Sequence, residues 1–264
     1  MSSLPPNRHP FEIEAFVLKH YNYQENDRIL VLFSREYGVL RGLARGVRKA
    51  RHRLGGNLDL LRCNHLLLER GAGLHKITQA ESMLHFPGLS RDYSALIHAL
   101  AIGDLISTFC HEEDPQPYVF TLLLYALEAL SQGLPALLIL IWFELHMLEQ
   151  LGYEQNWTLC RNCEYALKPR DYHFWDLRTG GLRCEACKQR PDSRFMRLEQ
   201  IECLRALQAS SHLPEQTQLP ILQLKQVQAC LQAYLEHLAE KPIKALAFVL
   251  EEPEIPLDQE MRKP

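Results

Sequence analysis

The stretch IEAFVLKHYNYQENDRILVLFSREYGVLRGLARG, residues 13–46, decides how the N-terminal third of this chain is read. Its apolar runs are short, rich in β-branched and aromatic residues, and broken by polar turn formers, which is the pattern of strands. Three strands are expected here, at 13–21, 28–34 and 39–46, with Glu36-Tyr37-Gly38 as the tight turn between the second and third. Two more follow at 58–68 (LDLLRCNHLLL) and 74–85 (LHKITQAESMLH). Five short strands this close together suit a closed barrel, because closure removes the exposed edges that a small open sheet would leave. An OB-fold barrel is the leading architecture and an SH3-like barrel the alternative.

Beyond Pro87 the texture changes. Leu96, Ile97, Leu100, Ala101, Leu105 and Phe109 recur at the three- and four-residue spacing of a helix face. Asp114-Pro115 and Gly133-Leu134-Pro135 punctuate two further helices, at 116–132 and 135–151. Residues 157–194 lose the helical period and gain aromatics and cysteines. Helix returns at 197–209, and Val227, Cys230, Leu231, Tyr234, Leu235 and Leu238 mark a final one. The class is α+β. The expected organisation is a barrel domain at 1–86, a helical body at 87–156, a cysteine module at 157–196, helices returning to the body at 197–250, and a flexible tail at 251–264.

The chain has 264 residues, 47% of them hydrophobic, which is enough for real cores and excludes a disordered adaptor. The N-terminus MSSLPPNRHP has no apolar signal core, and the uncharged run between Glu128 and Glu144 is too short and interrupted to cross a bilayer. A cytoplasmic protein with no membrane role is expected. The formal charge of −3 argues against a polyanion partner until it is divided along the chain. Residues 1–82 carry +5, 83–156 carry −8 with Arg91 their only cation, 157–197 carry +4 and 198–264 carry −4. Two basic modules are set into an acidic helical body.

Cys160-x-x-Cys163 and Cys184-x-x-Cys187 carry the most specific signal. Each two-residue gap lets both thiolates turn toward one ion, and two such knuckles complete the tetrahedral shell of a structural Zn²⁺. An iron–sulfur centre or a redox dithiol is the alternative. Between the knuckles, residues 172–175 (YHFW) and the turn Arg178-Thr179-Gly180-Gly181 read as a hairpin. The segment has little apolar material for a core of its own, so metal binding is expected to supply its folding free energy. Cys63, Cys110, Cys203 and Cys230 lie in strand or helix patterns and read as small buried hydrophobes.

A second signal is electrostatic. No acidic residue lies between Glu36 and Asp59, while Arg41, Arg45, Arg48, Lys49, Arg51 and Arg53 all fall inside that span. Uncompensated cations among glycines suit a phosphate track, which grips without choosing sequence. Tyr21, Tyr23, Phe33 and Tyr37 are candidate stacking surfaces for unpaired bases. There is no phosphate-binding glycine loop, no HExxH and no GxSxG, and Asp59, Glu69 and Glu81 have no spacing that suggests a nuclease metal site. A binding protein with no catalytic residues and no small-molecule substrate is expected. A zinc-ribbon transcription regulator is the alternative within nucleic-acid binding.

The order of these features resembles the bacterial DNA repair protein RecO family. The resemblance runs through Ala15-Phe16-Val17-Leu18, Leu32-Phe33-Ser34-Arg35-Glu36-Tyr37-Gly38, Ala44-Arg45-Gly46, Leu54-Gly55-Gly56, Ile77-Thr78-Gln79-Ala80-Glu81 and Leu151-Gly152-Tyr153, followed by the four cysteines. It implies an OB-fold, a helical body and an inserted zinc finger whose ligands vary among relatives. It also implies binding of single- and double-stranded DNA, strand annealing, and work with RecR, and possibly RecF, to help load RecA on DNA coated by single-strand binding protein. Such a protein would be nucleoid-associated when bound. By analogy the DNA contacts fall on the 41–53 run, with Lys19 and Arg35 added. Lys241-Pro242-Ile243-Lys244 matches a family pattern only in part, since Ala245 and Leu246 stand where Ser and Arg are common.

Overall fold

The structure, a computed structural model, describes residues 9–49, 56–168, 170–188 and 192–251. Five strands, β1 (Phe11–Tyr23), β2 (Asp27–Ser34), β3 (Gly38–Ala44), β4 (Cys63–Glu69) and β5 (His75–Leu84), close a barrel in the order β1-β2-β3-β5-β4. All neighbours are antiparallel except β3 and β5, which meet in parallel at Gly42 and Leu43. That closure is the OB-fold expected from the sequence. Two of the boundaries that differ from the sequence reading have a backbone cause. β3 stops at Ala44, because Gly46 turns the chain with φ +65°, and β4 starts at Cys63, because Leu61 sits in the left-handed region at φ +61°. Leu58 and Leu61 are still buried, so their apolar character marked a packed turn that alternation alone does not distinguish from strand.

Barrel strands normally bury one face, yet β1 and β2 bury both. Ile13, Ala15, Val17, Leu30 and Leu32 fill the barrel, while Phe16, Leu18 and Phe33 point the other way into a second core. That core belongs to the helices α1 (Tyr93–Phe109), α2 (Pro117–Ser131) and α3 (Ala136–Gln150). The Phe120 ring of α2 lies 5.0 Å from Phe16 and 6.0 Å from Phe33. Each fully buried phenylalanine contributes about 2–3 kcal/mol by removal from water, so the barrel and the helices are stabilised across one shared layer. Asp92 caps α1, its Oδ1 accepting from the Ser94 and Ala95 amides at 2.8 and 3.3 Å. Gly38, at φ +65°, lets the β2–β3 turn press on the α1–α2 connection, where a Cβ would come within 2.2 Å of the Asp114 carbonyl oxygen.

After α3 the chain forms a three-stranded sheet of β6 (Tyr172–Asp176), β7 (Leu182–Arg183) and β8 (Ser193–Arg197), ordered β7-β6-β8. The β6–β7 hairpin is the one expected from YHFW and its turn; β8 is additional. Then come α4 (Leu198–Ala209), α5 (Ile221–Ala239) and α6 (Lys244–Glu251). The sequence reading ended with α5, because α6 is only eight residues long and shows barely two turns of periodicity. The expectation that the cysteine segment lacks a core is corrected in part. Trp175, Leu182 and Met196 are fully buried and join the helical core, with Trp175 6.4 Å from the Tyr234 ring of α5.

No helix among the described residues is long and apolar enough to cross a membrane. α3 is buried on nearly every side, as a central core helix must be. A polar pair bridges α3 and α5 inside this core. Glu144 of α3 accepts a 2.8 Å hydrogen bond from Gln228 Nε2 of α5, and both side chains are completely buried. Burial pushes the Glu144 carboxyl up to about 8, the Gln228 hydrogen bond opposing only partly. Glu144 Oε2 and Gln228 Oε1 have no hydrogen-bond partner, so nothing beyond the Gln228 amide offsets the cost of a buried charge, and the neutral carboxyl is favoured.

The sign of the pH effect follows. The unfolded chain releases this proton near the ordinary value of 4.5, while the fold holds it to about 8. The contribution is therefore fully present below 4.5, falls as pH rises, and is lost by the time pH passes 8. Glu144→Gln is uncharged at every pH. It is expected to raise the melting temperature at pH 8 by roughly 5 °C and to change it little at pH 4.5, as thermal unfolding across that pH range will show.

Candidate nucleic-acid interface and metal centre

The basic run leaves the barrel at the end of β3. Arg41 is on the strand; Arg45, Arg48 and Lys49 follow in a turn and are all exposed. The turn is tied to the β1–β2 connection. Asp27 Oδ1 accepts from the Gly46 amide at 2.7 Å, the Arg48 amide donates to the Asn26 carbonyl at 3.0 Å, and Arg48 Nη1 donates to the Glu25 carbonyl at 3.1 Å. These contacts hold three cations on a fixed frame beside a cavity of about 500 Å³ lined by residues 24–27, Arg45, Gly46 and Lys49. Arg51 and Arg53 lie outside the described residues.

Charge isolated in sequence is not isolated in space. Arg41 pairs with Glu112 at 3.0 Å, and Glu112 comes from the connection between α1 and α2. Lys19 pairs with Asp104 of α1, and the Arg35 guanidinium lies 4.9 Å from the Phe120 ring centre. Lys19 and Arg35 thus face the junction with the helices, while Arg45, Arg48 and Lys49 are exposed on the turn beside the β1–β2 connection. Tyr21 and Tyr23 are exposed at the far end of β1, as stacking would require. Phe33 is corrected: it is fully buried against α2 and offers no surface to a base. Tyr37 is half-buried, its ring edge-on to Phe11 at 5.3 Å.

One residue enters that the charge count along the sequence did not reach. Lys241, between α5 and α6, lines a cavity of about 570 Å³ with Lys19, Tyr21, Arg41 and His111. Its signal was the Lys241-Pro242-Ile243-Lys244 segment, whose proximity to the barrel only the tertiary fold reveals.

The four knuckle cysteines converge. Their sulfur atoms all lie within 4.8 Å of one another, with Cys163 and Cys184 3.9 Å apart. A tetrahedral ion with metal–sulfur bonds of about 2.3 Å has sulfur–sulfur edges of about 3.8 Å, so the donor set fits one ion. A short hairpin, bridged at Leu159 and Ala166, presents Cys160 and Cys163; β7 delivers Cys184 and Cys187. Burial would raise the Cys160 thiol, but amides of Cys163, Cys184 and Asn162 directed at the sulfur outweigh it and draw the value down to about 6. Arg183 braces the second knuckle: it pairs with the buried Asp176 and donates to the Cys187 carbonyl at 3.2 Å. Four thiolates form a closed shell and leave no position for substrate. No other group of metal-ligating side chains occurs among the described residues. Cys63 and Cys110 are pushed up to about 12 and Cys230 to about 11 by burial, as inert thiols are; Cys203 is half-buried and raised for the same reason.

Both halves of the chain match known families. A family model described as Recombination protein O N terminal matches residues 9–86, and one described as Recombination protein O C terminal matches residues 90–247. The chain is 28% identical to a DNA repair protein RecO of Dehalococcoides mccartyi, over 91% of this chain and 95% of that one. It is 29% identical to a DNA repair protein RecO of a Roseiflexus species, over 90% and 84%. A third relative of that name, from Heliobacterium modesticaldum, is 32% identical over 68% of this chain and 66% of its own. With a closed OB-type barrel, a helical body and matches that span both, this chain belongs to the RecO family.

Proposed function

We propose that this protein is a DNA-binding recombination mediator in DNA repair. It holds and anneals complementary single strands and acts with RecR, and with RecF where that partner is used, to help load RecA on DNA covered by single-strand binding protein. The observation that carries this reading is membership of the RecO family across both halves of the chain. The exposed, braced turn bearing Arg45, Arg48 and Lys49 supports it physically. In this reading residues 1–86 are the DNA-binding unit, and the acidic helical body at 87–156 and 197–250 faces protein partners. The protein works in the cytoplasm, at the nucleoid.

The mechanism is electrostatic. Two strands approaching each other repel through their phosphates, and a surface that neutralises several phosphates lowers that barrier and raises the local concentration of each strand for the other. No bond is made or broken, so no nucleotide hydrolysis is required. Arg45, Arg48 and Lys49 supply the charge, extended by Arg41, Arg51 and Arg53; Tyr21 and Tyr23 offer faces for unpaired bases. Lys19 and Arg35 act closer to the helices, where their present partners are Asp104 and the Phe120 ring.

Cys160, Cys163, Cys184 and Cys187 would hold one structural Zn²⁺, tying the two knuckles together. Its folding contribution adds to that of Trp175, Leu182 and Met196 beneath the sheet.

Two experiments test these assignments. In an annealing assay with complementary strands coated by single-strand binding protein, the wild type is expected to form duplex without ATP. The Arg45→Ala, Arg48→Ala, Lys49→Ala, Arg51→Ala combination is expected to abolish this and to reduce the salt slope of single-strand binding by up to about 3, at roughly 0.7 per lost phosphate contact. Unchanged annealing would overturn the assignment. Elemental analysis is expected to find about one zinc per chain, and iron with visible absorbance would replace zinc in the reading. Cys184→Ser should lose the ion and lower the melting temperature while leaving helical circular dichroism intact, because the sheet's inner face stays anchored on α5.

A further inference from the structure

The two faces of the β7-β6-β8 sheet differ in kind. Trp175, Leu182 and Met196 lie inward on the helices. Outward stand Tyr172 and Phe174 of β6 and Phe195 of β8, the last two directly paired across the strands. The Tyr172 ring is 4.7 Å from Phe195 and 5.7 Å from Phe174, so the three form one continuous aromatic surface. Phe195 is 53% exposed. Cations surround the rings. Lys188 Nζ lies 4.8 Å from the Phe174 ring centre, the Arg197 guanidinium 5.9 Å from that of Phe195, and Arg170 is exposed two residues before Tyr172. Glu185 is the acidic residue paired here, and it serves both Arg170 and Lys188.

Folding does not account for this arrangement. The sheet buries its other face, and an aromatic cluster left toward water forgoes the gain that burial would give. The core of an interface with another folded protein is depleted in lysine, whereas here Lys188 lies against a central ring. Rings edged by lysine and arginine are instead the composition that holds unpaired nucleic acid: bases stack on the rings, and the cations meet the phosphates. The surrounding segment 157–197 carries +4, which matches a polyanion.

We propose that the outer face of the cysteine-module sheet is a second single-strand binding surface, separate from the barrel turn, on which Tyr172, Phe174 and Phe195 stack bases while Arg170, Lys188 and Arg197 contact phosphates. The proposal rests on the reading of the chain as a single-strand binder. It gives one polypeptide two places to hold unpaired nucleic acid.

The test compares a single strand of about 20 thymidines with an abasic strand of the same length, by fluorescence anisotropy on the full chain. The wild type is expected to prefer the thymidine strand. Phe195→Ala, at a half-exposed position, should weaken thymidine binding about tenfold and abasic binding less than about twofold, the signature of lost stacking. Phe195→Trp should keep the affinity, and its added emission should be quenched as the thymidine strand binds. Equal weakening of both strands, or no weakening and no quenching, overturns the proposal; in the second case the face is left to a protein partner while the barrel assignment stands. A wild type that binds neither strand overturns the proposal and the underlying reading together.

Discussion

The structure depends on two strands that are apolar on both faces. β1 and β2 must fill a barrel only wide enough for side chains, and at the same time cover α1 and α2. The requirement is met by alternation: Ala15 and Val17 inward, Phe16 and Leu18 outward, Leu32 inward, Phe33 outward. A one-residue slip in either strand would exchange the two sets, placing phenylalanines in the barrel and small residues on α2. The register is thus held by two cores at once, and the orientation of the barrel relative to the helices is held with it. Everything displayed on the barrel rim inherits that orientation, including the turn with Arg45, Arg48 and Lys49.

The same constraint explains what the sequence disclosed. Both-sided burial makes continuous apolar strands such as Ile29–Phe33, and these were legible as strands because they are short, β-branched and bounded by turn formers. Turns that are themselves packed were harder to read: Leu58 and Leu61 look like strand residues because they are buried, although the backbone at Leu61 is left-handed. Phe33 shows the parallel limit for function. An aromatic beside cations suggests stacking on bases, but which side of a strand meets a helix is fixed by residues 80 or more positions away. β8 and α6 are not legible in the sequence because five and eight residues carry too little periodicity to separate them from loops.

The candidate sites divide in the same way. Cysteine spacing is a local property with a steep geometric consequence, so the cluster was visible in four residues and two gaps. Cation clusters are not local. Arg41 looks uncompensated along the chain yet meets Glu112, and Lys19 meets Asp104, because the acidic helices fold back on the basic barrel. Arg45, Arg48 and Lys49 are exposed on a turn tied instead to the β1–β2 connection. Segment charge singled out the barrel, and tertiary contact separates the cations that are paired with the acidic helices from those that are not.

The inner face of the small sheet has an evolutionary consequence. Trp175 and Met196 root the cysteine module in the main core, so its position is not set by sulfur alone. A lineage that lost the thiolates one by one would still carry a sheet in the same place, presenting the same outer surface. An ion held by the four cysteines would then reinforce a sheet that the helical core already holds in place.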